Sequence, residues 1–157
     1  MKFTLLNVGK TDNANLKNLV GEYSVRINRF VPFQQDFITP SKNISKMKPD
    51  EVKRAEGELI LKKADNADCL ILLDEKGKQF SSLDFAQYLQ KLLNSGMKNL
   101  MFVSGGAYGF SPAVYQRAND KISLSQMTTT HQLIRLIFTE QLYRAFTIIN
   151  NHPYHNE

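Results

Sequence analysis

Residues 69–73 read CLILL, and this unbroken apolar run constrains the fold more than any other stretch of the chain. A strand with one face in water alternates apolar and polar side chains, whereas a strand that is apolar at every position is buried on both faces. Sheets covered on both faces are mostly parallel, because their helical crossovers lie above and below the strands. The run therefore predicts a parallel sheet between two layers of helices.

The rest of the chain alternates predicted strands with predicted helices, as an α/β fold with a mostly parallel sheet requires. The predicted strands are residues 1–8, 33–38, 69–73, 100–103 and 121–125. The predicted helices are residues 13–28, 49–64, 81–96, a short helix that begins at Ser111-Pro112, and residues 132–150.

Local residue types refine this pattern. Residues 33–38 are more polar than the other strands, which predicts a position near an edge of the sheet. Residues 74–78, DEKGK, are predicted to form a turn. Ser81 with Asp84 predicts a capping box, and Gly96 predicts the C-terminal cap of the same helix.

The composition limits the class of protein. A chain of 157 residues with 42% apolar residues can bury one core, so we expect a single domain over residues 1–157. No apolar run approaches the roughly eighteen residues that span a bilayer, and the first residues lack the anatomy of a signal peptide. We therefore expect a cytoplasmic protein without a membrane partner. The single cysteine, Cys69, excludes an intramolecular disulfide and a thiolate metal cluster.

The net charge of +5 favours a polyanionic partner such as nucleic acid, although many basic proteins bind none. Lysines are concentrated in and beside residues 39–48, where they form either a solvated face or a phosphate contact. Charge alone leaves both interpretations open.

The last predicted helix, residues 132–150, is apolar around almost its whole circumference. A helix that is apolar all round must be buried all round. A domain of this size covers only one side of a peripheral helix, so the other side needs a partner. We therefore expect a homodimer with this helix in the interface.

Two loops follow predicted strands at the edge where α/β proteins bind ligands. The turn Gly105-Gly106-Ala107-Tyr108-Gly109 lacks the GxxxxGK[ST] of a P-loop, and it follows the fourth strand rather than the first as in a Rossmann fold. Its double glycine is either a tight turn or a place where the backbone approaches a ligand. Residues 123–130, SLSQMTTT, either form an ordinary loop or wrap an adenosine with backbone groups and an apolar wall.

Polar residues on the last helix are further candidates. His131, at the start of the helix, is either an N-terminal cap or a catalytic residue. Glu140 can pair with Arg144 one turn away. Arg135 has no such partner and would reach a phosphate or a carboxylate.

The chain ends with His152, Tyr154 and His155 close together. Two histidines do not make a zinc site without a third ligand of suitable type nearby. General acid–base chemistry or substrate contact fits these residues better.

Ordered motifs over essentially the whole chain resemble the RlmH family (formerly YbeA), large-subunit ribosomal RNA methyltransferases of the SPOUT class. The motifs are VGK at residues 8–10, EGELIL at 56–61, LDEKGK at 73–78, VSGGAYG at 103–109, SLSQMT at 123–128 followed by His131-Gln132, EQLYRAF at 140–146 and NHPYH at 151–155. Ala107-Tyr108, Thr130 and Asn156 depart from the pattern that is common in that family.

The resemblance implies an α/β fold with a deep trefoil knot near the C-terminus, and a homodimer. It also implies an enzyme that uses S-adenosylmethionine to methylate N3 of a pseudouridine in 23S ribosomal RNA within assembled ribosomes. The cofactor contacts that it implies are Leu73, Gly105, Leu124, Ser125, Gln126, Met127, Thr128 and Thr129.

For the chemistry we predict four catalytic residues. His152, Tyr154 and His155, contributed across the dimer interface, contact the target or remove its proton, and Arg144 orients phosphate or cofactor. We predict that His131 and Arg135 bind substrate. No metal is expected. A sulfonium is already an activated methyl donor, so the enzyme must chiefly align donor and nucleophile and favour the anion at N3. The alternative is a non-catalytic ribosome- or nucleotide-binding module, which would have no reason to bind that cofactor.

Overall fold

The parallel sheet predicted from the apolar runs is present in the computed structural model, which describes residues 1–156 apart from the side chain of Lys42. The strands within this range are β1 (Lys2–Val8), β2 (Phe33–Ile38), β3 (Cys69–Gln79), β4 (Asn99–Ser104) and β5 (Asp120–Ser123). The α-helices are α1 (Ala14–Ile27), α2 (Pro49–Lys63), α3 (Ser82–Leu93), α4 (Pro112–Arg117) and α5 (Leu133–Ile149), and a short 3₁₀ helix covers Lys42–Lys46.

The strands are all parallel and lie in the order β2-β1-β4-β3-β5. The prediction that residues 33–38 lie near an edge is confirmed, because β2 is an outer strand. The trefoil knot implied by the resemblance stays a prediction.

Alternate side chains of each strand enter two separate cores, one on each face of the sheet. Phe3 and Leu5 pack with α1, α3 and α5 on one face, whereas Leu6 and Val8 pack with α2 and α4 on the other. Leu72, in the middle of the CLILL run, is fully buried, as a doubly covered strand requires.

The predicted helix ends agree with the structure within one or two residues. Ser81 Oγ accepts a hydrogen bond from the Asp84 backbone N–H at 3.1 Å and donates to the Asp84 carboxylate at 2.7 Å. The predicted C-terminal cap at Gly96 is wrong, because Asn94 forms the C-cap of α3, which ends at Leu93; Gly96 lies two residues beyond the cap, in the left-handed region with φ +80°. No helix among the described residues is long and apolar enough to cross a membrane.

The predicted turn at residues 74–78 is wrong, because β3 continues through this charged segment to Gln79. Ile122 of β5 pairs with Leu73 and again with Lys78, so residues 74–77 form a bulge between the two pairs. Gly77 lies directly against β5: a Cβ there would be 2.6 Å from the Lys121 carbonyl carbon and 2.7 Å from the Ile122 nitrogen. The charged side chains are tolerated because β5 is an outer strand and this half of β3 is largely exposed.

Helix α5 is buried by its own chain on one side and half-buried on the other. Phe138, Leu142 and Phe146 are buried against the sheet, while Leu133 is 38% exposed and Leu136 is half-buried. After α5, Asn151 adopts φ +53° and the His152 N–H donates to the Thr147 carbonyl at 2.8 Å. This Schellman-type end turns the C-terminal residues back along the helix.

Candidate active site

A cleft of about 390 Å³ lies at the carboxyl ends of β4 and β5, beside residues 73–76 in the middle of β3, and reaches the first turn of α5. Its walls come from three separate regions of the chain, between residues 73 and 76, between 105 and 115, and between 122 and 134. Ligands of parallel α/β sheets bind at this edge. The volume lies in the range of natural ligand pockets.

The structure places most of the predicted cofactor residues around this cleft. Seven of the eight line it: Leu73, Gly105, Leu124, Ser125, Met127, Thr128 and Thr129. Gln126 is exposed and is not among the lining residues. The residues come from β3 and from the two loops after β4 and β5, so only the folded sheet brings them together.

A side chain at either of the first two positions of the turn after β4 would have to displace a neighbouring side chain. A Cβ on Gly105 would lie 2.9 Å from the Phe110 ring, and a Cβ on Gly106 would lie 2.5 Å from Glu56 Oε2. Gly109 has φ +78°, a left-handed conformation that favours glycine. The turn therefore presents backbone, without side chains, to the cleft at residues 105 and 106.

The loop after β5 is organised by its own serines. Ser123 Oγ donates to the Ser125 carbonyl at 2.9 Å, and the Met127 N–H donates to Ser125 Oγ at 2.9 Å. These bonds end β5 at Ser123, two residues earlier than predicted. Met127 is left 79% exposed at the cleft, which is a large apolar side chain without cover from its own chain.

Residues from the bulge of β3 also line the cleft, and the sequence reasoning missed them. Asp74, Glu75 and Lys76 form one rim. The Tyr115 hydroxyl donates a short hydrogen bond to Asp74, and the Lys76 N–H donates to the same carboxylate at 2.8 Å. Burial, and then the bond to Asp74, raise the pKa of Tyr115, so its phenol stays protonated. Gly77 was the sequence signal that could have predicted this bulge, because a glycine within a strand marks a close approach of two strands.

His131, which is predicted to bind substrate, lines the cleft. Partial burial of the ring lowers its pKa below the ordinary value, and the nearby Arg135 guanidinium lowers it further. The imidazole is therefore neutral at physiological pH.

Arg135 does not reach the cleft surface. The residue is fully buried, and its guanidinium donates to the Val8 carbonyl at 2.7 Å and to the Thr11 hydroxyl at 2.8 Å. It ties α5 to the end of β1. The predicted phosphate or carboxylate partner is thus replaced by a backbone carbonyl and a hydroxyl of the same chain, and Arg135 is not carried into the proposed substrate site.

The C-terminal residues form a second polar cluster, here called the tail cluster, made of Tyr23, Glu140, Arg144, Tyr154 and His155. Arg144 donates to Glu140 Oε1 at 2.6 Å, as its spacing predicted, and its guanidinium lies 4.8 Å from the centre of the Tyr154 ring. Tyr154 Oη donates to Glu140 Oε1 at 3.2 Å, and Arg144 Nη1 lies 3.4 Å from His155 Nδ1. His152 is exposed.

None of the tail-cluster residues, nor His152, lines the cleft of its own chain. Within one chain the structure therefore brings together seven of the eight predicted cofactor residues and, separately, three of the four predicted catalytic residues, but not the two groups with each other.

The chain offers few groups for metal or thiol chemistry. In the part of the chain that the structure describes, no three His, Cys, Asp or Glu side chains could hold a metal ion together. Cys69 is buried at the start of β3, and burial raises the pKa of its thiol. A buried thiol of raised pKa is a poor nucleophile.

Comparison with known proteins agrees with this arrangement. The family model described as "Predicted SPOUT methyltransferase" matches residues 1–155. A solved structure described as a probable methylase family protein from Haemophilus influenzae Rd KW20 is similar in fold, with a TM-score of 0.53 and 12% identity. The likeness covers 95% of this chain and 66% of that one.

The parallel sheet, the glycine turn and the cleft at the strand ends thus belong to a methyltransferase, and the class is that of the SPOUT methyltransferases. Two curated relatives are each named Ribosomal RNA large subunit methyltransferase H. The one from Parabacteroides distasonis is 50% identical and the one from Flavobacterium psychrophilum is 51% identical, in both cases over the full length of both chains. The chain belongs to the family of ribosomal RNA large subunit methyltransferase H.

Proposed function

We propose that this protein transfers a methyl group from S-adenosylmethionine to N3 of a pseudouridine in 23S ribosomal RNA. We further propose that it acts on assembled ribosomes in the cytoplasm, as a homodimer of single-domain subunits. The observation that carries the proposal is the convergence of seven predicted cofactor residues on one cleft of the parallel sheet, at the carboxyl ends of β4 and β5.

The cleft suits the methyl donor in size and chemistry. Its volume of about 390 Å³ is enough for a nucleoside with an amino-acid arm. Leu124 and Ile122 offer an apolar wall for the adenine, while the bare backbone at Gly105 and Gly106 permits close approach. Leu73, Ser125, Met127, Thr128 and Thr129 would complete the contacts, with Gln126 beside them.

When bound, the donor supplies a methyl group that its sulfonium already activates. The work left to the protein is to align the target with that methyl group and to remove the proton from N3. A well-placed general base contributes about 10²–10⁴ in rate. His131, neutral and at the cleft, is suited to contact the substrate.

The proposed base lies in the tail of the second subunit. His152 is exposed, whereas Arg144, Tyr154 and His155 are held by their mutual contacts and by Glu140. The pKa of Tyr154 is raised by burial and by its bond with Tyr23, so its hydroxyl stays protonated and donates. We therefore assign proton removal to the histidines, and the orientation of the target to Arg144 and Tyr154.

In the proposed dimer, a second subunit supplies the tail residues that the cleft of one chain lacks. The half-buried side of α5, with Leu133 and Leu136, is apolar and available to a second copy. Because the tail and the cleft are separated within one chain, a partner's tail is needed to complete the site. An arrangement with two-fold symmetry would complete both sites at once.

Methylation of ribosomes tests the function directly. Ribosomes from a strain without this protein are incubated with the protein and S-adenosylmethionine, and mass spectrometry locates new methyl groups on 23S RNA. We expect one methylated pseudouridine with ribosomes and none with free RNA. If calorimetry detects no binding of S-adenosylmethionine, the protein is a non-catalytic binding module instead.

Mixing two inactive variants tests the shared site. One carries His152→Ala and His155→Ala, and the other carries Gly105→Val in the cleft. A site built from both subunits returns to about a quarter of wild-type activity after subunit exchange, because half of the dimers are mixed and each has one intact site. A site built within one chain stays inactive in the mixture.

A further inference from the structure

Glu56 is a buried carboxylic acid that the proposed chemistry does not use. It lies in the middle of α2 and is 6% exposed. Its Oε2 atom has no hydrogen-bond partner among the described residues. Burial raises the pKa of this carboxyl, and no neighbouring positive charge opposes the effect.

The carboxyl group lies directly behind the glycine turn of the cleft. A Cβ on Gly106 would be 2.5 Å from Glu56 Oε2 and 2.8 Å from Oε1, so the carboxyl occupies the space that a side chain would take. The next residue, Gly57, contacts Ser111: a Cβ there would be 2.3 Å from Ser111 Oγ. Helix α2 therefore supports the turn at both of its ends.

The glycine turn has backbone N–H groups that can donate hydrogen bonds. The Gly109 N–H donates to the Gly106 carbonyl at 3.2 Å, but the N–H groups of Gly106 and Ala107 donate to no described residue. An unpaired buried carboxyl destabilises a fold, and an apolar side chain of the same size would be more stable. A buried acceptor beside unused donors fits a pairing that forms in another state of the site.

We propose that Glu56 is a positioning residue for the methyl donor: its carboxyl group accepts a hydrogen bond from the Gly106–Ala107 backbone when the donor occupies the cleft. This inference rests on the proposed function. Glu56 acts through the turn and does not touch the donor. The hydrogen bond holds the turn against α2, and Gly105 is thereby fixed at the position from which it contacts the donor.

Two opposite shifts in one variant test this role. In Glu56→Leu the melting temperature of the ligand-free protein rises by about 2–4 °C, because the unpaired carboxyl is removed. The same variant binds S-adenosylmethionine about tenfold more weakly in calorimetry, which corresponds to about 1.4 kcal/mol. Glu56→Met is measured alongside and gives the same pair of shifts if Glu56→Leu does not fold.

Glu56→Gln keeps an acceptor oxygen and holds the dissociation constant within about threefold of wild type. Glu58→Leu, at an exposed position on the same helix, changes neither quantity. An unchanged dissociation constant in Glu56→Leu and Glu56→Met overturns the inference, whatever the melting temperature does. Failure of the wild-type protein to bind S-adenosylmethionine instead refutes the proposed function, before any variant is compared.

Discussion

Substitution of Gly77 by alanine tests the contact between the bulge of β3 and the backbone of β5. The new methyl group would lie 2.6–2.7 Å from three backbone atoms of Lys121 and Ile122, closer than Cβ atoms come to other atoms in proteins. The crowding is against backbone in a sheet, so it cannot be relieved by rotation of a side chain. The two segments must move apart, and overpacking of this kind costs about 1–3 kcal/mol.

For a chain of this length, 1 kcal/mol corresponds to about 2–4 °C in melting temperature. We therefore expect Gly77→Ala to lower the melting temperature by about 2–12 °C. Urea unfolding at matched protein concentration gives the free energy, because the stability of a dimer depends on concentration. Binding of S-adenosylmethionine should weaken as well, since Asp74 and Lys76 of the same bulge line the cleft.

Gly21→Ala is the matched control. Gly21 lies inside α1 with open space around its α-carbon, so alanine there should stabilise the protein by about 0.5–1 kcal/mol. The reasoning is refuted if Gly77→Ala unfolds at or above the wild-type urea midpoint while Gly21→Ala shifts it upwards as expected.

Three further predictions concern Arg135, His131 and Leu136. Arg135→Met deprives the Val8 carbonyl of its donor, so the free energy of unfolding measured in urea should fall by about 1–3 kcal/mol while KM for ribosomes stays unchanged. A raised KM at wild-type stability would restore Arg135 as an RNA contact. His131 has a folded pKa below its unfolded value of 6.5, so the free energy of unfolding falls as the pH drops through this value. The urea midpoints at about pH 7.5 and about pH 5.5 should therefore differ less in His131→Gln than in the wild type. Equal differences in the two proteins would contradict the assignment. Leu136→Asp, on the half-buried side of α5, should sediment as a monomer. Met47→Asp, at an exposed position before α2, is the control and should remain a dimer. A dimeric Leu136→Asp would show that α5 is not part of the interface.

The sequence predicted the layered fold because burial on both faces leaves a direct trace in residue type. The run at residues 69–73 and the polar strand at residues 33–38 were enough to indicate a parallel sheet and one of its edges. It did not predict the second half of β3, because DEKGK has the composition of a turn. A bulge of charged residues on an outer pair of strands leaves no hydrophobic period to detect.

The candidate site was predictable where it depends on backbone, and less so where it depends on side-chain partners. The glycines after the fourth predicted strand indicated that the cleft lies at Gly105. The two arginines of α5 have similar sequence surroundings, yet one bonds to Glu140 as its spacing predicts and the other to the distant Val8 carbonyl. A partner more than a hundred residues away cannot be inferred from helical spacing, and neither can the burial of Glu56 against Gly106.

The order of the strands bears on how the protein is made. Strands β2, β1, β4 and β3 are adjacent in the sheet and are complete once residue 104 has been synthesised, whereas β5 is added last, on the outside of β3. The cleft needs residues up to 134, so a growing chain can form most of the sheet while it still lacks the binding site. A newly synthesised subunit therefore gains the ability to bind the methyl donor only after residue 134 has left the ribosome.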